Sequence, residues 1–220
     1  MTEWIPVALA RDIEPGSATG TSIGGAAVAL WRGADGSVHA WADRCPHRGM
    51  RLSLGFVRGE RLVCLYHGWQ FDQVGACRHI PAHPDLAPPA AVRTVRYRVR
   101  EESAMVWVAL PGDDEGPFSA DRRAEGESVP ACSVFVEADR HRVLDEMISC
   151  TGGGEVAGTT VRVVVGGTPV LVGTQAMGDE VTALHVVAQA GADTAAVTSV
   201  VRWAHELRDR VHATTELVTA

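Results

Sequence analysis

The 220-residue chain has no stretch approaching about 18 uninterrupted apolar residues, so no membrane-spanning helix is expected. Its opening residues, MTEWIPVALARDIEPG, lack a basic segment followed by an apolar one, so no export signal is expected. Basic charge is short: 20 Lys and Arg face 27 Asp and Glu, for a formal net charge of −7. That balance gives a nucleic-acid partner no electrostatic support. A surface of that sign suits a protein redox partner with a basic docking face. A disulfide framework is also missing. The five cysteines, Cys45, Cys64, Cys77, Cys132 and Cys150, are odd in number and irregular in spacing. Without an export signal the reducing cytoplasm is the expected location, and thiolate ligands survive there. Cys77, Cys132 and Cys150 read as free thiols that pack.

What is present is the composition of a globular protein, 46% hydrophobic and 21% charged. Residues 1–112 read as one all-β unit. Apolar runs at Ala26–Trp31, Val38–Ala42, Arg61–Tyr66, Trp69–Asp72 and Met105–Leu110 are separated by turn residues, as at Gly33–Gly36 and Asp72–Gly75. Val95–Arg100 alternates strictly, like a strand with one wet face. Residues 113–130, rich in Pro, Gly and charge, read as a linker. Residues 131–220 read as a small α+β unit. Its expected strands are Thr160–Val165, Pro169–Val172, Val181–Gln189 and Ala195–Trp203, with a short helix near Glu137–Ile148. A closing helix is expected over 204–218, with Leu207, Val211, Thr214 and Val218 on one face.

The chemistry concentrates in Cys45-Pro46-His47-Arg48-Gly49 and Cys64-Leu65-Tyr66-His67-Gly68-Trp69. In pattern form this is CxH, sixteen residues, then CxxH. Each loop supplies one thiolate and one imidazole. In a Rieske-type 2Fe–2S centre two Cys bind one iron and two His bind the other. Thiolates stabilise ferric iron, whereas neutral imidazoles donate less charge and raise the potential. A Cys2His2 zinc site is the rival reading, although CxH is a poor zinc knuckle. Cys45, His47, Cys64 and His67 are therefore the candidate cluster ligands. Arg48, Gly49, Tyr66, Gly68 and Trp69 form the candidate environment: the glycines let the backbone approach the sulfides and donate N–H groups, while Tyr66 and Trp69 pack over the cluster.

At these residues the sequence resembles the Rieske non-haem iron oxygenases. CPHRG, CLYHGW, Phe71-Asp72 and Gly75-x-Cys77-x-x-Ile80-Pro81 carry the likeness over roughly residues 5–110. The extra cysteine pair of respiratory Rieske proteins is absent, which implies a lower-potential centre. The resemblance implies a mainly β fold, an antiparallel Rieske domain followed by a small α+β domain with a reduced oxygenase-like sheet and a closing helix. It breaks at the mononuclear iron. The family's helix carries an acid followed by two histidines, two His and one carboxylate forming an open facial triad. The nearest stretch here, Leu144–Gly152, has Asp145 and Glu146 but no histidine. No mononuclear iron and no catalytic residue are assigned. His205, Asp209 and His212 have metal-compatible helical spacing but fall opposite the apolar face, and His141 and His185 read as ordinary surface or strand residues.

These observations imply an electron-transfer or accessory subunit of a Rieske oxygenase system, an oxidoreductase component that is not catalytic alone. Its partners would be a reductase or ferredoxin and a catalytic oxygenase subunit, in a homo- or hetero-oligomer. An oxygenase with an unconventional iron site and a redox-sensing regulatory protein are the alternatives.

Overall fold

The computed structural model describes residues 3–110, 118 and 127–219, with side chains through residue 213. In chain order its strands and helices are β1 (Ile5–Leu9), β2 (Ala18–Ile23), β3 (Ala26–Arg32), β4 (Val38–Ala42), β5 (Phe56–Arg58), β6 (Arg61–Val63), β7 (Gln70–Asp72), β8 (Cys77–His79), β9 (Arg96–Glu102), β10 (Met105–Ala109), β11 (Ser128–Val136), α1 (Arg140–Thr151), β12 (Glu155–Ala157), β13 (Thr160–Val165), β14 (Thr168–Ala176), β15 (Thr182–Gln189) and α2 (Thr194–Thr219). The fold is mainly β, as expected. No helix among the described residues is long and apolar enough to cross a membrane.

The chain forms two compact units. One comprises Asp12–Arg100 and Val108–Pro111. In it, antiparallel neighbours run β9-β4-β3-β2, beside a smaller sheet ordered β5-β6-β7-β8. Trp31 and Trp41 meet edge to face at 4.9 Å, and with Leu52, Leu62 and Phe71 they form a closed apolar core. Three turns at one end of this unit are joined by a single amide. Gln73 donates from Nε2 to Asp35, Ser37 and Glu60 at 2.7, 3.0 and 2.9 Å. Hydrogen bonds from Ser37 and Gln73 hold the Asp35 carboxyl well below the usual carboxylate range. The opposite ends of β4 and β6 lead into the cysteine loops.

The other unit comprises Met1–Arg11, Glu101–Trp107 and Gly112–Ala220. Its antiparallel sheet runs β11-β15-β14-β13-β12. One face packs Val134, Val161, Val163, Val172, Leu184 and Val186 against α1 and α2. The opposite face receives β1 and Met105. A Cβ on Gly173 would lie 2.7 Å from Pro6 and 2.9 Å from the Met105 sulfur, so glycine is what lets this strand approach. Arg11 donates to the carbonyls of Pro130 and Ala131 at 2.9 and 2.7 Å, and Thr159 donates to that of Trp4 at 2.9 Å. These ties place residues 4–11 with the C-terminal ones, across the linear boundary expected near residue 112.

Two expectations need correction. Ala195–Trp203 is not a strand but the first part of α2. Its buried residues Val200, Ala204, Leu207 and Val211 are spaced by four, three and four, the helical period. Asp193 accepts from the Ala196 N–H at 2.8 Å and caps the start. The apparent alternation reflected β-branched residues, whose preference tertiary packing overrides. The expected linker lies largely outside the described residues, but Ser128–Pro130 belong to β11, paired with Gln189, Ala188 and Val187. Thr214 and Val218, placed on the apolar face of the closing helix, have side chains outside the described residues.

His185, read as an ordinary residue, is fully enclosed in the sheet. Its Nε2 donates to Gln175 Oε1 at 3.1 Å and its Nδ1 accepts from Ser133 at 3.0 Å. Burial pushes its pKa down to about 4 from an ordinary 6.5. Between those values the unfolded chain binds a proton that the folded chain excludes. Stability therefore falls as pH drops from about 6.5 to 4 and is flat in this respect above and below. Urea titrations at pH 7 and 5 should show about 2 kcal/mol more loss in the wild type than in His185→Asn. Equal losses would show that His185 is not held neutral.

Candidate metal centre

Two loops of the same design leave β4 and β6. In the first, the Cys45 N–H donates to the Met50 carbonyl at 2.8 Å, and the Gly49 N–H donates back to the Cys45 carbonyl at 2.8 Å. In the second, the Cys64 N–H donates to Trp69 at 2.9 Å, and Gly68 donates to Cys64 at 3.0 Å. Each turn closes on a glycine in the left-handed region, φ 75° at Gly49 and 68° at Gly68. The first loop is also stapled across its base. Buried Asp43 accepts from the Ser53 N–H and hydroxyl, both at 2.7 Å. Sequence reasoning missed this pair, because a polar couple ten residues apart leaves no periodic signal.

The four candidate ligands are brought together in pairs. Cys45 and Cys64 are buried, and Cys64 is close enough to act on the Cys45 thiol. The His47 and His67 rings lie 4.7 Å apart on the solvent side, His67 exposed. Trp69 stacks on His47 at 4.2 Å with only 6° between planes, and Tyr66 stacks on His67 at 3.9 Å. Tyr66 is 58% exposed, so it braces His67 from outside rather than sealing the site. The glycine N–H groups are committed to the loop-closing bonds. The N–H groups that act on the Cys45 thiol are instead those of His47 and Arg48, which favour its ionised form. Burial, and then Cys64, pushes the Cys45 thiol up to about 11. Burial, then the neighbouring His67 and Arg48, lowers the His47 pKa and favours the neutral imidazole that binds metal.

This donor set fits a dinuclear cluster. Among the described residues no three His, Cys, Asp or Glu side chains converge as for one ion, and a 2Fe–2S centre needs only two protein ligands per iron. None of the five cysteines is in a disulfide; Cys77 is buried, while Cys132 and Cys150 are half-buried. The discounted helical set stays apart. His205 and Asp209 are exposed, Asp209 pairs with Arg208 at 2.9 Å, and His212 accepts from the Glu137 N–H at 3.1 Å. His141 pairs with Asp145 at 3.1 Å on the surface of α1.

Residues 3–96 match the Rieske 2Fe–2S domain family. Over that domain the chain is similar to components of Rieske-type oxygenase systems. It is 36% identical to the oxidoreductase NdmD of Pseudomonas putida over 143 residues, 63% of this chain and 24% of that protein. It is 38% identical to the oxygenase component of dicamba O-demethylase of Stenotrophomonas maltophilia over 110 residues, half of this chain and 32% of that one. The chain thus spans a quarter to a third of these relatives. A crystal structure of dicamba monooxygenase bound to 3,6-dichlorosalicylic acid superimposes with a TM-score of 0.76 at 19% identity, covering 99% of this chain and 87% of that one. That likeness shows an oxygenase fold through the C-terminal α+β part.

The two glycine turns differ in tolerance. A Cβ at Gly49 meets nothing closer than 3.4 Å, whereas at Gly68 it would sit 3.0 Å from Pro81. Gly49→Ala should cost about 1–2 kcal/mol from conformation alone. Gly68→Ala should cost more and lose bound iron faster during chelator challenge. Equal urea midpoints for the two variants would refute the ranking.

Proposed function

We propose that Cys45, His47, Cys64 and His67 hold a Rieske 2Fe–2S cluster, and that the chain is an electron-transfer or accessory component of a Rieske oxygenase system. The observation that carries this reading is the pairing of two adjoining buried thiols with two adjoining surface imidazoles on loops of one design. When bound, such a cluster supplies one-electron transfer at a potential within roughly −150 to +300 mV. The absent second cysteine pair favours the lower end. Cys45 and Cys64 would hold one iron, and His47 and His67 the other. The N–H groups of His47 and Arg48 steady the Cys45 sulfur, and Trp69 and Tyr66 orient the two imidazoles. Electrons would arrive from a reductase or ferredoxin and leave to mononuclear iron in a partner oxygenase chain, in the cytoplasm. The lack of histidine in 144–152 supports assigning that iron to another chain. The second reading, an iron site of unconventional ligands within this chain, is favoured by the oxygenase fold of the C-terminal part.

Purified protein should be reddish-brown and contain iron and sulfide in the 2:2 stoichiometry of its domain class. Cys64→Ser should abolish both. With a competent reductase the cluster should be reduced without product, and a partner with intact mononuclear iron should restore turnover. Colourless protein with stoichiometric zinc would refute the cluster. A further tightly bound iron with partner-free product would establish the second reading instead.

A further inference from the structure

The net charge of −7 suggests a partner with a basic face, but the charges around the cysteine loops have the other sign. Arg44, Arg48 and Arg51 lie in or beside the first ligand loop, and all three are exposed. None of their side chains has an ion-pair or hydrogen-bond partner among the described residues. The charged neighbours acting on His47 are His67 and Arg48, both basic. The adjoining proline-rich segment, which touches Gly68 through Pro81, adds one carboxylate, Asp85. The chain contains no lysine, so every basic side chain but histidine is a guanidinium, the group that grips carboxylates with two parallel bonds. Among these arginines the second loop offers apolar surface: Leu65 is 55% and Tyr66 58% exposed, and Tyr66 leans on His67. An aromatic and aliphatic centre with a charged rim is the anatomy of a protein interface.

We propose that this face is the docking surface for an acidic electron-carrier protein that presents carboxylates around its own redox centre. The proposal rests on the cluster reading above and names the partner class at that site. Arg44, Arg48 and Arg51 attract and orient the carrier. Leu65 and Tyr66 form the apolar contact, with His67 beneath as the point of electron entry. One electron leaves the reduced carrier, which is oxidised, and enters the cluster, which is reduced; no bond or proton moves. The local field overrides the molecule's net charge because attraction acts at contact range, while distant carboxylates are screened beyond about 8 Å at physiological salt.

The test uses the cluster-loaded chain. The reduced protein is mixed with ferricyanide, a trianion, or with hexaammineruthenium(III), a trication, and cluster absorbance is followed at rising ionic strength. With ferricyanide the rate should fall as salt rises, with the ruthenium complex it should climb, and Arg44→Gln with Arg51→Gln should flatten both slopes. An acidic plant-type ferredoxin, whose potential lies below the Rieske range, should reduce the cluster with saturation. The double variant should raise its half-saturation on the order of threefold to tenfold with iron content unchanged. A ferricyanide rate that climbs with salt, as net charge −7 dictates, or an unchanged half-saturation in the variant, overturns the docking face. A preparation without a cluster spectrum overturns the parent reading instead, and the docking face with it.

Discussion

The Cys45 thiol, buried beside Cys64, is held in its protonated form, and the loop-bearing unit is organised around that constraint. Burial and Cys64 together push the Cys45 thiol up to about 11. Metal must therefore displace a proton from Cys45, whose surroundings favour the neutral thiol. Such a site works only if its geometry is set before the metal arrives, since ordering two loops at the moment of binding would subtract from affinity. The backbone sets it. Both loops close with the same pair of hydrogen bonds from cysteine to a residue five on and from glycine four on, and Asp43 with Ser53 locks the first loop to its base.

The orientation of the site follows from the same packing. Cys45 and Cys64 face the core of Leu52, Leu62, Phe71 and Trp41, so the sulfurs point inward and the imidazoles outward. An imidazole near solvent would otherwise sample several rotamers. Trp69 and Tyr66 each take one face of a ring, which narrows that freedom at little cost because stacked aromatics have few torsions of their own to lose. Gly68 matters in the same way, since its missing Cβ admits Pro81 against the turn that carries His67.

The ligand loops were legible in the sequence because their chemistry is local: residue types, spacing and glycines sit within 25 positions, Cys45 to Trp69. Val38–Ala42 and Thr160–Val165 were legible for the same reason, being short alternating runs between turns. What escaped depends on contacts distant in sequence. The Asp43–Ser53 staple and the enclosure of His185 between Ser133 and Gln175 have no pattern along the chain. Ala195–Trp203 misled because Val197, Thr198, Val200 and Val201 favour strands locally, while burial of every third or fourth residue against the sheet makes them helical.

The C-terminal sheet shows why likeness of fold runs further than likeness of sequence. Its inner face is built from Val161, Val163, Val165, Val170, Val172 and Val186, and apolar side chains of similar volume can replace one another there at small cost. A metal ligand has no such substitute, since its donor atom is its function. Such a sheet can therefore persist at 19% identity while Leu144–Gly152, the stretch nearest in pattern to an acid followed by two histidines, holds no histidine. What α1 supplies there is architecture: Val143 and Met147 in the core, and Gly152 closing its end in the left-handed region at φ 73°. Architecture alone performs no chemistry. Any redox function of this chain must therefore be sought first where residue identity is strict, in the two cysteines, two histidines and stacked aromatics of the paired loops.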